Sequence, residues 1–293
     1  MFERTLFAEE HEIFRRSVAH FVDKQIAPHH PRWEKEGQVS REVWHKAGQN
    51  GLLCPTIPER YGGAGTDFLF SVVILEELAR AGTMGPGFSL HSDIVAPYLL
   101  HYGSEYLREN WLPKMAAGKA IGAIAMTEPS AGSDLQNIRT TAQRDGDEFI
   151  VSGQKVFITN GQLCDIVITV CKTDPEAGAS GTSLILVETD RPGFVRGRNL
   201  DKIGWKARTR RSSSLTMSAC PRRISSASPV EDLSNLWNSS AGAPTTSNPR
   251  SHDHRGCTGV DCRVHLRAKS LSASRSRIFR TRVLRWQTSS RKQ

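Results

Sequence analysis

Ala125-Met126-Thr127-Glu128-Pro129-Ser130-Ala131-Gly132-Ser133-Asp134 is the stretch that decides how this chain is read. Residues 121–126 form a short apolar run of strand character, so the stretch reads as a strand ending in a polar turn. Its small residues let a ligand approach the backbone, Thr127 and Ser133 offer hydroxyls, and the turn offers amide N–H groups. That donor set suits a cofactor with carbonyls, ring nitrogens and a pyrophosphate. A second stretch, Val156-Phe157-Ile158-Thr159-Asn160-Gly161, puts an aromatic and a hydroxyl at the end of another strand. Taken singly, a Ser/Gly turn binds nothing more often than not, and a lone Phe is usually core.

Outward from these stretches, residues 1–118 read as helices. Ile13, Phe14, Val18, Phe21, Val22 and Ile26 share one stripe at helical spacing, and Pro28 ends it. Ser40 is placed to cap a second helix that stops at Gly51, and Asp67 a third that stops at Gly82. A fourth follows His91, and Ser104 opens a fifth. Past Ala120 the pattern changes to strands over 121–126, 148–152, 155–159, 166–171 and 183–188, with turns at Asp145-Gly146-Asp147 and Asn160-Gly161. The expected fold class is α+β: an N-terminal α-helical domain over 1–118, then an antiparallel β domain over 119–207. After Ala207 periodicity is lost. Arg and Ser make up 33 of the last 86 residues, with no apolar face among them, so 208–293 is expected to be a disordered tail.

Together, in this order and spacing, the two stretches resemble the flavin-binding signature of the acyl-CoA dehydrogenase family, nearest its long-chain members. Ser40-Arg41-Glu42-Val43-Trp44, Gly85-Pro86-Gly87-Phe88-Ser89, His91-Ser92 and Lys202-Ile203-Gly204-Trp205-Lys206-Ala207 agree with it. The resemblance implies FAD held between the middle β domain and a C-terminal four-helix domain. It implies α-proton removal from a fatty acyl-CoA by a glutamate, hydride transfer to flavin N5, and electrons leaving through electron-transfer flavoprotein. It also implies a homotetramer. Carried over by position, it implies cofactor contacts from Ile124, Ala125, Met126, Thr127, Gly132, Ser133, Phe157, Ile158 and Thr159. Thr127 would meet the isoalloxazine ring, and Ser133 both the cofactor and the acyl-CoA substrate. Ile124 stands where relatives often carry an aromatic and Phe157 where they often carry Trp, so ring packing is expected to differ. Glu128 belongs to the turn and is not expected to be the base.

The resemblance stops at Ala207, before the four-helix domain that carries the base. No catalytic residue is therefore expected in this chain, and its activity is expected to be impaired or absent. Shifted codons compatible with 207–233 and with 271–288 spell family-like sequence in the right order, so the tail is read as out of frame.

The formal charge of +9 conceals two unlike parts. Residues 208–293 hold 15 Arg and 2 Lys against 4 acidic residues, a net +13, leaving 1–207 at −4. A basic-tailed nucleic-acid binder ranks last among the readings, because 263–285 lacks any recognised RNA- or DNA-binding context. A non-catalytic fragment that packs and holds ligand ranks second. His252, His254, Cys257, Cys262 and His265 match no closed zinc pattern, so no metal is expected. Six cysteines without a disulfide framework, no signal peptide, and no apolar run near ~18 residues point to a soluble, cytoplasmic protein without a membrane span.

Overall fold

The computed structural model describes residues 5–146, 148–178 and 181–221, with side chains through 209. Helix α1 (Glu9–Phe21) runs on into a π-helical turn at Val22–Ile26, so the expected stripe is one continuous rod. Phe14, Val18, Phe21, Val22 and Ile26 are all buried along it. Against it lies α4 (Phe68–Arg80), capped as expected by Asp67, whose carboxylate accepts from the Leu69 N–H. Rings of Phe14 and Phe70 meet at 5.1 Å, and Arg15 donates to both Glu76 and Glu77 at 2.7 and 3.2 Å.

Between these two lie α2 (His30–Glu36), which the hydrophobic pattern did not announce, and α3 (Arg41–Gln49). Pro31 opens α2 in the first turn, where its missing N–H costs nothing. Ser40 stands at the N-cap of α3, but its hydroxyl makes no capping bond, which corrects that detail. The fourth helix includes His91 rather than following it, as a π-helical turn at Leu90–Val95 leading into α5 (Ala96–Tyr102). Ser104 caps α6 (Glu105–Ala116) by accepting from Leu107 N–H at 3.4 Å.

Among the described residues seven strands follow: β1 (Gly122–Ala125), β2 (Thr141–Asp145), β3 (Glu148–Thr159), β4 (Ile166–Lys172), β5 (Thr182–Glu188), β6 (Phe194–Asn199) and β7 (Arg210–Pro221). They pair in the order β1-β4-β2-β3-β7-β6, with β5 on β4. The two short strands expected over 148–152 and 155–159 are one strand, β3, with irregular register between Val151 and Gly153 and between Lys155 and Ile158. Antiparallel pairing dominates, yet β1 and β4 run parallel, Gly122 opposite Ile166, because the β2–β3 hairpin is inserted between them in sequence. Strand pairing runs on past the boundary expected at 207. Residues 210–221 form β7 between β3 and β6, since strand pairing satisfies backbone groups whatever the side chains. The rest of the tail, including the His/Cys group and the 263–285 run, lies outside the described residues.

One face of the sheet packs on α5 and α6, where Leu107, Leu112 and Met115 meet Ile166, Ile168 and Leu186. Polar clasps fix the helices to the strands. Arg41 donates to Leu163 O at 2.9 Å and pairs with Asp165, whose carboxylate also accepts from Ile121 N–H at 2.7 Å. Glu34 accepts from the amides of Lys206 and Ala207 at 2.9 and 3.0 Å. His91, fully buried, accepts from Gly122 N–H at Nδ1 (3.0 Å), so its Nε2–H is the one that donates to Met115 O (3.2 Å).

Burial pushes the His91 imidazole down to about 4, the bond to Met115 opposing this only in part. The unfolded chain takes up that proton near the ordinary value of 6.5, so the unfolded state binds more protons between pH 6.5 and about 4. The His91 contribution therefore falls with falling pH across that window, by about 3 kcal/mol. Asp93 acts with the opposite sign. Burial lifts its carboxyl to about 6 despite the Ser71 hydroxyl donating to it, so it disfavours the fold as pH rises through that window. Comparing His91→Asn with the parent isolates the histidine. In urea titrations the variant is expected to be less stable at pH 7, with the gap closing by about 3 kcal/mol towards pH 4. A gap that does not change with pH would contradict the assignment.

Candidate functional site

β1 ends at Ala125, and the chain turns tightly at once: Glu128 N–H donates to Ala131 O at 2.9 Å and Ala131 N–H returns to Glu128 O at 3.2 Å. The second stretch lies directly alongside. Val156 N–H donates to Thr127 O at 2.9 Å, and Lys155 Nζ donates to Met126 O and to Glu128 Oε1, both at 2.9 Å. The two stretches that the sequence singled out are thus neighbours, joined by the Val156–Thr127 bond and flanked by the two bonds of Lys155.

The end of β3 is bent to expose its aromatic. Between Lys155 and Ile158 the register with β7 slips, a bulge of the kind that re-aims side chains. Phe157 sits at φ 59°, in the left-handed region a bulky residue adopts only when its surroundings force it, and it is 53% exposed. Buried Asn160, at φ 64°, fastens the strand end from behind, donating to Gly87 O (3.1 Å) and Gly122 O (3.3 Å).

The nine candidate residues divide by burial. Ser133 and Gly132 are exposed, and Thr127 and Thr159 are half-buried. Ile124 is core under α5 and α6, Ala125 and Ile158 pack with Cys164 and Val167, and half-buried Met126 leans on the helix-side core. The alternation of the strands spends the side chains of Ile124, Ala125 and Ile158 on the interior, leaving them only backbone to offer.

The open residues fit a flavin on their own chemistry. Among the described residues, the hydroxyls of Thr127, Ser133 and Thr159 and the amides of Gly132 and Ser133 have no protein partner. A Cβ built on Gly132 meets nothing within 4 Å, so the backbone there is open to close approach. Free donors beside an exposed, strained aromatic suit a planar ring edged with carbonyls and nitrogens.

Sequence reasoning missed what lies beneath. Glu128, 5% exposed, accepts from the amides of Arg139 and Thr140 (2.6 and 2.9 Å), from the Thr140 hydroxyl (2.5 Å) and from Lys155. Burial alone would raise this carboxyl, but those bonds outweigh it and hold it below the usual carboxylate range. Burial lowers the Lys155 ammonium, and Glu128 pulls back against that. The signal was present: counting by twos from buried Val151 puts Lys155 on the inner face of β3. A charge there requires an acid partner.

Among the described residues, no group of three or more His, Cys, Asp or Glu side chains is arranged for a metal, and no helix is long and apolar enough to cross a membrane. Comparison with known proteins agrees with the geometry. Residues 8–119 match the family model "Acyl-CoA dehydrogenase, N-terminal domain", and 123–220 match "Acyl-CoA dehydrogenase, middle domain". The chain is 56% identical over 206 residues to the mitochondrial long-chain specific acyl-CoA dehydrogenase of Sus scrofa, covering 70% of this chain and 48% of that protein. It therefore spans about half the length of the curated relatives it matches. The solved acyl-CoA dehydrogenase of Geobacillus kaustophilus superposes with a TM-score of 0.78 at 44% identity, over 81% of this chain and 63% of that one. A glutaryl-CoA dehydrogenase from Mycobacterium smegmatis, solved in complex with FADH2, superposes with a TM-score of 0.71 at 30% identity, over 80% and 59%.

Proposed function

Because the chain belongs to the acyl-CoA dehydrogenase family, we propose that 127–133 and 157–159 form one wall of an FAD site serving fatty acyl-CoA desaturation. The hydrogen bond from Val156 to Thr127 carries this reading, because it sets the free donors of the turn beside the exposed Phe157 ring. Thr127 and Thr159 offer hydroxyls to the flavin, Gly132 and Ser133 offer amides, and the Phe157 ring shields the site from water. Ser133 also meets the acyl-CoA. Bound there, FAD supplies the hydride acceptor for the α,β-desaturation. A long-chain acyl group is the proposed substrate, supported by 56% identity to a long-chain enzyme. Electron-transfer flavoprotein is the proposed electron acceptor.

The chain as it stands is impaired or inactive on this proposal. Similarity to the Sus scrofa enzyme spans 206 residues, 48% of that protein, and the resemblance assigns the base and the tetramer contacts to a four-helix domain beyond the matched stretch. The homotetramer is accordingly not proposed here. That same observation favours a second reading, a non-catalytic fragment with residual ligand binding. Cys54 and Cys164 are buried free thiols, in keeping with a reducing compartment. A cytoplasmic location stays part of the proposal, and the mitochondrial label of the Sus scrofa relative is the observation that stands against it.

Titrating FAD with the chain and following flavin fluorescence tests the site. Saturable quenching is expected, weakened at least ~10-fold by Phe157→Ala, the scale of one lost aromatic contact. A flat titration by protein with a folded circular-dichroism spectrum would leave only the fragment reading.

A further inference from the structure

The Glu128–Lys155 ion pair touches no reacting group, yet it lies where the two ligand-facing segments meet. We propose that Glu128 and Lys155 are positioning residues: their pairing fixes the turn 127–133 against the bulged end of β3 and so builds the wall on which Thr127 and Phe157 stand. The inference rests on the flavin reading and deepens it.

Lys155 Nζ holds the residue on each side of Thr127, namely Met126 through its carbonyl and Glu128 through its carboxylate. The next residue, Val156, closes on Thr127 itself through the backbone. Three consecutive residues, Met126 to Glu128, are thereby tied to two of β3, and Phe157 follows immediately. The lysine has a fixed direction only because its partner has one. Glu128 is anchored by the amides of Arg139 and Thr140 and by the Thr140 hydroxyl, at the entry to β2. The β2–β3 framework is in this way carried into the turn.

Stability alone does not call for charges here. A buried ion pair is often no more stabilising than an apolar pair of the same volume, while removal of one partner is costly. What an apolar pair cannot do is hold a carbonyl and a carboxylate in fixed directions on either side of a ligand-facing hydroxyl. Side chains this deep also have no contact with ligand, so any effect on binding must pass through Thr127 and Phe157.

The test uses the full chain with Lys155→Met, Glu128→Gln and the double substitution, compared in three measurements. These are denaturant stability, amide hydrogen exchange without ligand, and FAD titration by flavin fluorescence. Lys155→Met is expected to speed exchange at Val156 and Ala131 about tenfold relative to core amides of β4, and to weaken FAD binding at least about tenfold. The double variant is expected to recover stability, because both charges are gone, but neither the local protection nor the affinity. A double variant with parent-like exchange at Val156 and parent-like FAD affinity would overturn the proposal and leave the pair a stabiliser only. If Lys155→Met does not fold, Glu128→Gln, which keeps the shape but only one acceptor oxygen, is expected to show the same local loss in smaller degree, and its absence overturns the proposal equally. Should the parent bind no FAD, the flavin reading fails by itself, and unchanged exchange at Val156 still decides against the pair.

Discussion

Restoring the family-like reading frame after Ala207 is expected to raise acyl-CoA desaturation by at least ~10²–10⁴-fold over the chain as it stands. That range is what a positioned general base contributes, and no acid at the proposed site can take its place. Glu128 is the carboxylate in the turn itself, but it is buried and accepts four hydrogen bonds, three at Oε1 and one at Oε2, which hold it ionised and facing inward. Asp134 is exposed and engaged with the Asn137 amide. A catalytic base must present a free lone pair to the α-proton while shielded from water, and neither carboxylate meets both conditions. A dye-coupled assay of acyl-CoA oxidation on the two chains reads the difference directly. Equal rates would mean that the base lies within the present sequence and that the tail is not out of frame.

Gly87→Ala is expected to cost about 3 kcal/mol or more, the range of overpacking added to broken buried hydrogen bonds. A Cβ at Gly87 would lie 2.0 Å from Asn160 Oδ1 and 2.8 Å from its Cγ. Asn160 cannot simply swing aside, because its amide donates to both Gly87 O and Gly122 O, and its left-handed backbone ends β3. The substitution therefore strikes the loop 85–87, the start of β1 and the strand end that presents Phe157. Gly132→Ala is the informative contrast. With nothing within 4 Å of its Cβ it should change stability by no more than about 0.5 kcal/mol, yet weaken FAD binding by crowding the open backbone. Urea unfolding of the two variants measures the difference, and equal stabilities would contradict the close approach.

Several features of this fold were legible in residues alone, and others were not, for identifiable reasons. The α1 stripe and the Asp67 and Ser104 caps could be read because each rests on local spacing or a local hydrogen bond. Helix α2 escaped because its only fully committed apolar residue is Trp33, too little to set a period. Gly153-Gln154 looked like a break between strands, but tertiary pairing with β7 carries β3 across it as a bulge. The parallel β1–β4 pair could not be foreseen from strands treated one at a time. At the candidate site, the two stretches were singled out from their chemistry, and the fold sets them side by side. Which of their residues face outward depended on the bulge at Phe157, and the ion pair beneath them depended on a partner 27 residues away.

The account stands most directly on where FAD touches the protein. Two-dimensional NMR of the isotopically labelled chain, titrated with FAD, reads this residue by residue. Shifts are expected at Thr127, Gly132, Ser133, Phe157 and Thr159, while the α1–α4 interface around Arg15 and Glu76 stays unmoved. Shifts centred elsewhere, or none at all in a chain whose spectrum is folded, would contradict it.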